Sequence, residues 1–200
     1  ENIKNSPPGP VFIISYFITY GTVLIANTLM TNGVTLAVVN NSGNIQDANS
    51  STIKNLLGNN FKQPSRNEQL DYKTGQTRDK MKHSNDFIPM KFIYITGTTE
   101  EEMRDNMILA FNKLNNKDGS KIKIILGSSI FKEGINFKNL RQIHILEPWH
   151  NNSRLEQAIG RGLRHCSHKD IHKDDRYVEI YQYASTLDNN NDIVKNIKKN

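Results

Sequence analysis

The sequence has 200 residues, the length of about one ordinary domain, and a chain of this size buries a core without disulfides or a structural metal. Its single cysteine, Cys166, excludes an internal disulfide framework and a zinc site built from several thiolates, and it favours a reducing compartment. The 26 lysines and arginines outnumber 20 acidic residues, and the net charge of +6 favours a polyanionic partner. No apolar run approaches the roughly 20 residues that span a bilayer, so we expect a soluble chain.

The first 39 residues alternate strand and helix signals. Val11 to Ile14 is a short, β-branched apolar run, which predicts a buried strand. The apolar positions from about Tyr20 to Met30 predict a helix that ends near Gly33, and Val34 to Val39 predicts a second strand. A strand, a helix and a second strand in this order indicate the beginning of a parallel sheet.

Residues 40 to 89 differ in composition from the rest of the chain. Asn, Ser, Gln and Lys dominate, and the apolar residues are scattered without a helical or strand period. This composition predicts a largely flexible insertion. Within it, Ile53 to Leu57 is a candidate for a short helix.

Strand and helix signals resume at Lys91 to Ile95, a predicted strand. Thr98 or Thr99 is the predicted N-cap of a helix that reaches about Leu114, with acidic residues in its first turn. Further strands are predicted at Ile122 to Leu126, Gln142 to Leu146 and Tyr177 to Tyr183, and further helices at Ser153 to Leu163 and Asp188 to Lys198. The predicted fold class is α/β, with a central, mainly parallel sheet flanked by helices in one domain over residues 1–200.

The sharpest chemical signal is the run Gln157-Ala158-Ile159-Gly160-Arg161-Gly162-Leu163-Arg164. Arg161 and Arg164 are three residues apart and share one helical face, and a guanidinium donates in a planar pattern that matches phosphate oxygens. Glycine permits the close approach of a ligand or of another chain segment. The alternative is a solvated, basic helix end without a ligand.

A second signal is the run Gly127-Ser128-Ser129-Ile130-Phe131-Lys132-Glu133-Gly134-Ile135-Asn136. Its hydroxyl residues follow a predicted strand, and ligands bind at the carboxyl ends of the strands in open α/β sheets. The alternative is a turn that contains glycine and binds nothing.

Together these two runs resemble motifs V and VI of superfamily 2 helicases and their Snf2-type relatives. Val11 to Tyr16 is similar to the motif IV strand, and Ile95-Thr96-Gly97 with Arg104 and Phe111 is similar to the next strand and helix of the second RecA-like lobe. The stretch from Arg141 to Asn152, continued from Gln157 to His168, most resembles the helicases and transcription-associated ATPases of nucleocytoplasmic large DNA viruses, of the poxvirus and mimivirus types. The resemblance covers most of the chain outside residues 40–89.

The resemblance implies roles for individual residues. Arg161 and Arg164 would be arginine fingers on the γ-phosphate of ATP, and Gln157 would contact that phosphate or the attacking water. At the motif V turn, Gly134 and Asn136 would touch the nucleotide sugar or couple the nucleotide to the nucleic acid, and Glu133 and Gly160 would also belong to the nucleotide-binding set. The nucleic-acid backbone would be contacted at five positions: Ser15, Thr96, Gly97, Ser128 and Ser129. Ala158 and Asn136 depart from the common DEAD-box pattern, fit the Snf2-like branch better, and leave strand separation open.

The sequence contains neither a G-x-x-x-x-G-K-[S/T] loop nor a strand that ends in an Asp-Glu box. We therefore expect the chain to be the C-terminal lobe of a two-lobed ATP-dependent helicase or translocase, inactive alone, with ATP and Mg²⁺ held mainly by an N-terminal lobe of the same parent. Its partners would be DNA or RNA and a viral RNA polymerase, without a membrane, in the host cytoplasm, at a viral factory or in the virion.

The sequence is also compatible with two alternative functions. One is a DNA-dependent ATPase that acts in viral transcription initiation or termination without unwinding its track. The other is a non-catalytic RecA-like scaffold that binds RNA polymerase or nucleic acid, although a scaffold does not require arginine fingers.

A small cluster of possible metal ligands is formed by His165, Cys166, His168 and His172. It has one thiol and no second clustered pair of ligands, which favours a polar loop, and we expect no metal site.

Overall fold

The structure is a computed structural model that describes residues 3, 8–81, 84–128, 135–147, 156, 159–160, 163 and 166–184. Seven strands form one sheet in the order β3-β2-β4-β5-β1-β6-β7. All neighbouring pairs are parallel except β2 and β3, so the predicted mainly parallel sheet is confirmed. The strands are β1 (Val11–Ser15), β2 (Thr35–Val39), β3 (Ile45–Asp47), β4 (Lys91–Ile95), β5 (Ile124–Ser128), β6 (Gln142–Ile145) and β7 (Glu179–Gln182).

Three α-helices accompany this sheet in the described part of the chain: α1 (Val23–Thr31), α2 (Ser50–Leu57) and α3 (Glu101–Phe111). A π-helical turn over Ile18–Thr22 precedes α1. The first residues of the helix predicted from about Tyr20 therefore lie in this turn, and the α-helix itself begins at Val23. None of these helices has the length and apolar character that crossing a lipid bilayer requires.

The sequence-based prediction of both ends of α3 is wrong in detail. Its N-cap is Glu100, because the hydroxyl of Thr99 instead accepts a hydrogen bond from the backbone N–H of Thr96. The helix ends at Phe111 rather than near Leu114, and a 3₁₀ turn over Leu114–Asn116 follows it.

The sheet is covered on both faces, which explains the continuous apolar strands. Phe12 and Ile14 of β1 lie on one face with the buried residues of α3, and Val11 and Ile13 lie on the other face with buried residues of α1 and α2. The helical side chains that cover the first face are Met107, Ala110 and Phe111, and those that cover the second are Ala26, Met30, Ile53 and Leu57. This is the architecture of a doubly wound α/β domain of the RecA-like type.

The segment predicted as a flexible insertion contains regular elements and buried side chains. It holds β3 and α2, and the side-chain oxygen of Asn49 caps α2 by accepting from the N–H of Thr52. Ile53, Leu57 and Leu70 of this segment belong to the core on the α1 face. The candidate helix at Ile53 to Leu57 is therefore confirmed, and the flexibility of the segment stays a prediction.

Two predicted helices fall largely or entirely outside the described residues. Within the helix predicted from Ser153 to Leu163, Glu156, Ile159 and Gly160 are helical and Leu163 lies in a bend. The helix predicted at Asp188 to Lys198 lies outside the described residues.

A polar network joins β6 to β7 at one end of the sheet. His144 is buried, and its ring nitrogens are hydrogen-bonded to the hydroxyl of Tyr183 at 2.8 Å and to Oε1 of Gln142 at 3.1 Å. The ring of Tyr181 stacks on His144 with 4.8 Å between centroids. Burial is the largest cause that lowers the pKa of His144 to about 4, while Glu179 opposes the shift.

We expect this histidine to destabilise the fold in mild acid. An unfolded histidine has a pKa of about 6.5, so between about pH 6.5 and 4 the unfolded chain binds more protons than the folded one. The loss is complete near pH 4 and amounts to about 3 kcal/mol. Urea denaturation at several pH values tests this, because His144→Leu should remove that part of the pH dependence. An unchanged pH dependence in the variant would contradict the prediction.

Candidate functional site

The carboxyl edge of the sheet, where β4, β5, β1 and β6 end, brings together polar residues from distant parts of the sequence. The strand register places Ile95 opposite Gly127 and Ser15 opposite Ser128. Ser128 of β5 and Ser15 of β1 therefore lie side by side, and Thr96 directly follows the neighbouring strand β4. These are three of the positions predicted to contact a nucleic-acid backbone.

Ser15 is fully buried, and its hydroxyl is engaged within the protein. It donates to Oε1 of Glu147 at 2.8 Å, while the backbone N–H of Tyr16 donates to Oε2 of the same carboxylate at 3.0 Å. This arrangement holds the end of β1 against Glu147, which lies two residues beyond the end of β6. The predicted contact between Ser15 and nucleic acid stays a prediction, and the geometry gives Ser15 a structural role.

The turn from Thr96 to Thr99 carries a group of hydroxyls at the carboxyl edge. Thr99 Oγ1 accepts from the N–H of Thr96 at 3.0 Å, and the hydroxyls of Thr96 and Thr98 lie 2.8 Å apart. Gly97 and Thr98 are exposed. Hydroxyls and backbone N–H groups are common phosphate contacts of nucleic-acid-binding proteins, so this turn can hold a phosphate without reading sequence.

Ser128 lies at the same edge, one strand from the Thr96–Thr99 turn. It is buried, and its Oγ has no hydrogen-bond partner in the described part of the chain. Buried polar atoms are normally paired, so an unpaired hydroxyl at this edge is suited to an incoming group. Ser129, Glu133 and Gly134 lie outside the described residues.

Asn136 lies away from this edge, held by the opposite end of α3. Its carbonyl accepts from Nδ2 of Asn112 at 2.8 Å, and Oδ1 of Asn112 accepts from the N–H of Lys138 at 2.8 Å. Asn112 is the C-cap of α3, a whole helix length from the Thr96–Thr99 turn. The structure therefore does not bring Asn136 to the carboxyl edge, and its nucleotide contact stays a prediction.

We expect Asn112→Ala to loosen the segment from Asn136 to Lys138. Loss of both hydrogen bonds leaves a carbonyl and an N–H without their partner and lowers the free energy of unfolding by about 1–3 kcal/mol. Asn112→Asp is the matched control, since it retains an acceptor for the N–H of Lys138. Urea denaturation measures the stability of both variants. An alanine variant as stable as the wild type would contradict the stabilising role of the two Asn112 hydrogen bonds.

The run from Gln157 to Arg164, which resembles motif VI, is described at only a few positions. Gln157, Arg161 and Arg164 lie outside the described residues. Ile159 is partly buried and packs against the core on the α3 face of the sheet. Gly160 is exposed, and a Cβ built on it would meet no atom of the described residues within 4 Å.

The described members of the His/Cys cluster have partners within the protein or lie at the surface. His168 is hydrogen-bonded through Nε2 to the carbonyl of Leu140 at 2.7 Å and through Nδ1 to the hydroxyl of Ser167 at 2.8 Å. Cys166 is exposed as a free thiol. The residues that the structure describes contain no group of three or more His, Cys, Asp or Glu side chains suited to hold a metal ion.

Two residues important to the site were missed by sequence reasoning. Glu147 directly follows the strand predicted from Gln142 to Leu146, and this position indicates an acidic residue at the carboxyl edge. Asn112 offers no comparable signal, because its partners are 24 and 26 residues away.

Comparison with known proteins finds viral relatives of this chain. A 97-residue stretch, 48% of this chain, is 44% identical to an Acanthamoeba polyphaga mimivirus protein with the provisional name ATP-dependent RNA helicase, and covers 17% of that protein. A 110-residue stretch, 54% of the chain, is 34% identical to the early transcription factor large subunit homolog of African swine fever virus and covers 10% of it. The chain thus spans less than a fifth of the length of these curated relatives.

The family model described as the helicase conserved C-terminal domain matches residues 49–166, more than half of the chain. Its viral relatives place it with superfamily 2 proteins of large DNA viruses. This chain belongs to the helicase conserved C-terminal domain family.

Proposed function

We propose that this chain is the second lobe of an ATP-dependent nucleic-acid helicase or translocase whose other lobe binds the phosphates of ATP. The observation that carries the proposal is the carboxyl edge, where the Thr96–Thr99 turn follows β4 and Ser128, whose hydroxyl has no hydrogen-bond partner among the described residues, ends the neighbouring strand β5. Hydroxyls at this position bind phosphodiester oxygens regardless of sequence, as a motor on a track requires.

ATP is the substrate in this proposal, bound between the two lobes. Arg161 and Arg164 donate to the γ-phosphate as charge develops in the transition state, and Gln157 orients the attacking water. Turnover then opens and closes the cleft between the lobes, and alternating grip moves the pair along a strand. The 200-residue chain alone does not hydrolyse ATP, because its sequence lacks a phosphate-binding loop.

The proposal is tested by the ATP turnover of the two-lobed parent protein with single-stranded DNA, duplex DNA or RNA. We expect one of these to stimulate turnover about tenfold or more. Thr98→Ala should raise the concentration of that nucleic acid needed for half-maximal stimulation about fivefold, since one hydrogen bond contributes about 1 kcal/mol. Ser51→Ala removes an exposed hydroxyl on α2 and is the matched control. A rate of ATP turnover that none of the three nucleic acids changes would contradict the proposal. It would favour the alternative of a non-catalytic scaffold.

A second candidate function is an ATPase of viral transcription that moves along duplex DNA without unwinding it. The specific observation in its favour is the similarity to the African swine fever virus early transcription factor subunit homolog. Its partner would be a viral RNA polymerase, and its location would be intracellular and reducing. A forked-duplex unwinding assay beside a triplex-displacement assay separates the two candidates, because a translocase displaces the third strand without opening the fork.

A further inference from the structure

The connection between β1 and α1 presents aromatic side chains to solvent at the carboxyl edge. We call residues 17–22 the aromatic turn. Phe17 is 55% exposed and Tyr20 is 86% exposed, and Tyr20 is the most exposed large apolar or aromatic side chain in the described part of the chain. Exposed apolar clusters on a soluble domain generally mark a binding surface.

The aromatic turn is fixed by hydrogen bonds rather than loosely exposed. The N–H of Thr22 donates to the carbonyl of Phe17 at 2.9 Å, and the hydroxyl of Thr22 lies 2.8 Å from the buried hydroxyl of Tyr94 on β4. At its other end, the N–H of Phe17 donates to Oγ of Ser15 at 3.2 Å. The rings therefore project from a backbone that is already ordered, which lowers the entropy cost of binding.

Gly21 allows the aromatic turn to lie directly against the carboxyl edge of the sheet. A Cβ at this position would overlap the hydroxyl of Ser15 and lie 3.2 Å from the carboxylate of Glu147. Only glycine allows this close approach of the turn to the Ser15–Glu147 pair. Because the turn contacts the ends of both β1 and β5, it lies beside Ser128 and close to the Thr96–Thr99 turn.

The chemistry of these neighbouring groups matches that of a single strand. Hydroxyls bind phosphate oxygens, and rings of Phe and Tyr stack on bases, an interaction every base offers through its π face. We propose that Phe17 and Tyr20 form a base-stacking surface for single-stranded nucleic acid. This inference rests on the proposed function and adds to its backbone contacts a contact with the bases.

The test compares binding of the 200-residue chain to a single-stranded oligonucleotide and to an abasic oligonucleotide of equal length and charge, by fluorescence anisotropy at low salt. The abasic strand retains the phosphates and lacks the stacking partners. We expect the wild type to bind the normal strand about tenfold more tightly than the abasic strand. Tyr20→Ala or Phe17→Ala should remove most of this preference. Each of these variants should change the affinity for the abasic strand less than twofold. Tyr20→Phe should retain the preference.

Leu109→Ala is the matched control, since Leu109 is 64% exposed on α3, away from the aromatic turn, and its loss should leave both affinities unchanged. Equal affinity of the wild type for both strands, or variants that keep the preference, would overturn the stacking surface while leaving the proposed function intact. Failure of the chain to bind either strand would overturn the stacking surface, and turnover of the two-lobed parent protein with duplex DNA would then decide the nucleic-acid contact in the proposed function.

Discussion

Arg161→Ala in the two-lobed parent protein is expected to lower kcat for ATP hydrolysis about 1000-fold or more, with little change in the affinity for ATP. Arginine fingers act on charge that develops in the transition state, and their removal typically costs 10³- to 10⁵-fold in rate, roughly. Arg161→Lys should not restore the rate, because an ammonium lacks the planar, bidentate donors of a guanidinium.

Single-turnover hydrolysis and nucleotide binding measure the two effects separately. Arg66→Ala is the matched control, since Arg66 is exposed in the segment between α2 and β4 and should change kcat less than twofold. A rate loss below tenfold, or a loss explained entirely by weaker ATP binding, would contradict the role proposed for Arg161.

Asn116→Ala is expected to lower the free energy of unfolding by about 3–5 kcal/mol. Asn116 is fully buried between α3 and β5. Its Nδ2 donates to the carbonyls of Phe111 and Ile122 at 2.8 and 3.1 Å, and its Oδ1 accepts from the N–H groups of Lys121 and Ile122 at 3.0 and 2.8 Å. Alanine leaves these four backbone groups without their partner in a confined turn.

Asn115→Ala is the control for this substitution, because the neighbouring Asn115 is exposed and its loss should change stability by less than about 0.5 kcal/mol. Urea denaturation followed by circular dichroism measures both variants. Similar stabilities for the two variants would contradict the role of Asn116 in fixing the start of β5, the strand that carries Ser128 to the carboxyl edge.

The strands buried on both faces could be predicted from the sequence, because burial on both faces makes them continuous apolar runs. The strand β3 could not, since Ile45 is its single apolar residue and its pairing with β2 depends on a tertiary contact. The π-helical turn also depends on tertiary contacts, here with Ser15 and Tyr94. Its apolar residues fit the helical period of α1, so the sequence does not distinguish it from an α-helix.

The candidate site was predictable where a residue follows a strand and unpredictable where distant segments fix it. Thr96 and Ser128 stand at strand ends, and parallel strands end at one edge of the sheet. The burial of Ser15 depends on Glu147, 132 residues away, and the position of Asn136 depends on the end of α3. Apolar periodicity carries no information on either contact.

The most direct measurement compares ATP turnover by three purified proteins: the two-lobed parent, its first lobe alone and this 200-residue chain alone. We expect turnover stimulated by nucleic acid in the parent and negligible turnover in each lobe, because one lobe would hold the phosphates and the other would supply Arg161 and Arg164. Turnover by the first lobe at the rate of the parent, or robust turnover by the 200-residue chain, would contradict the proposed division of the ATPase site.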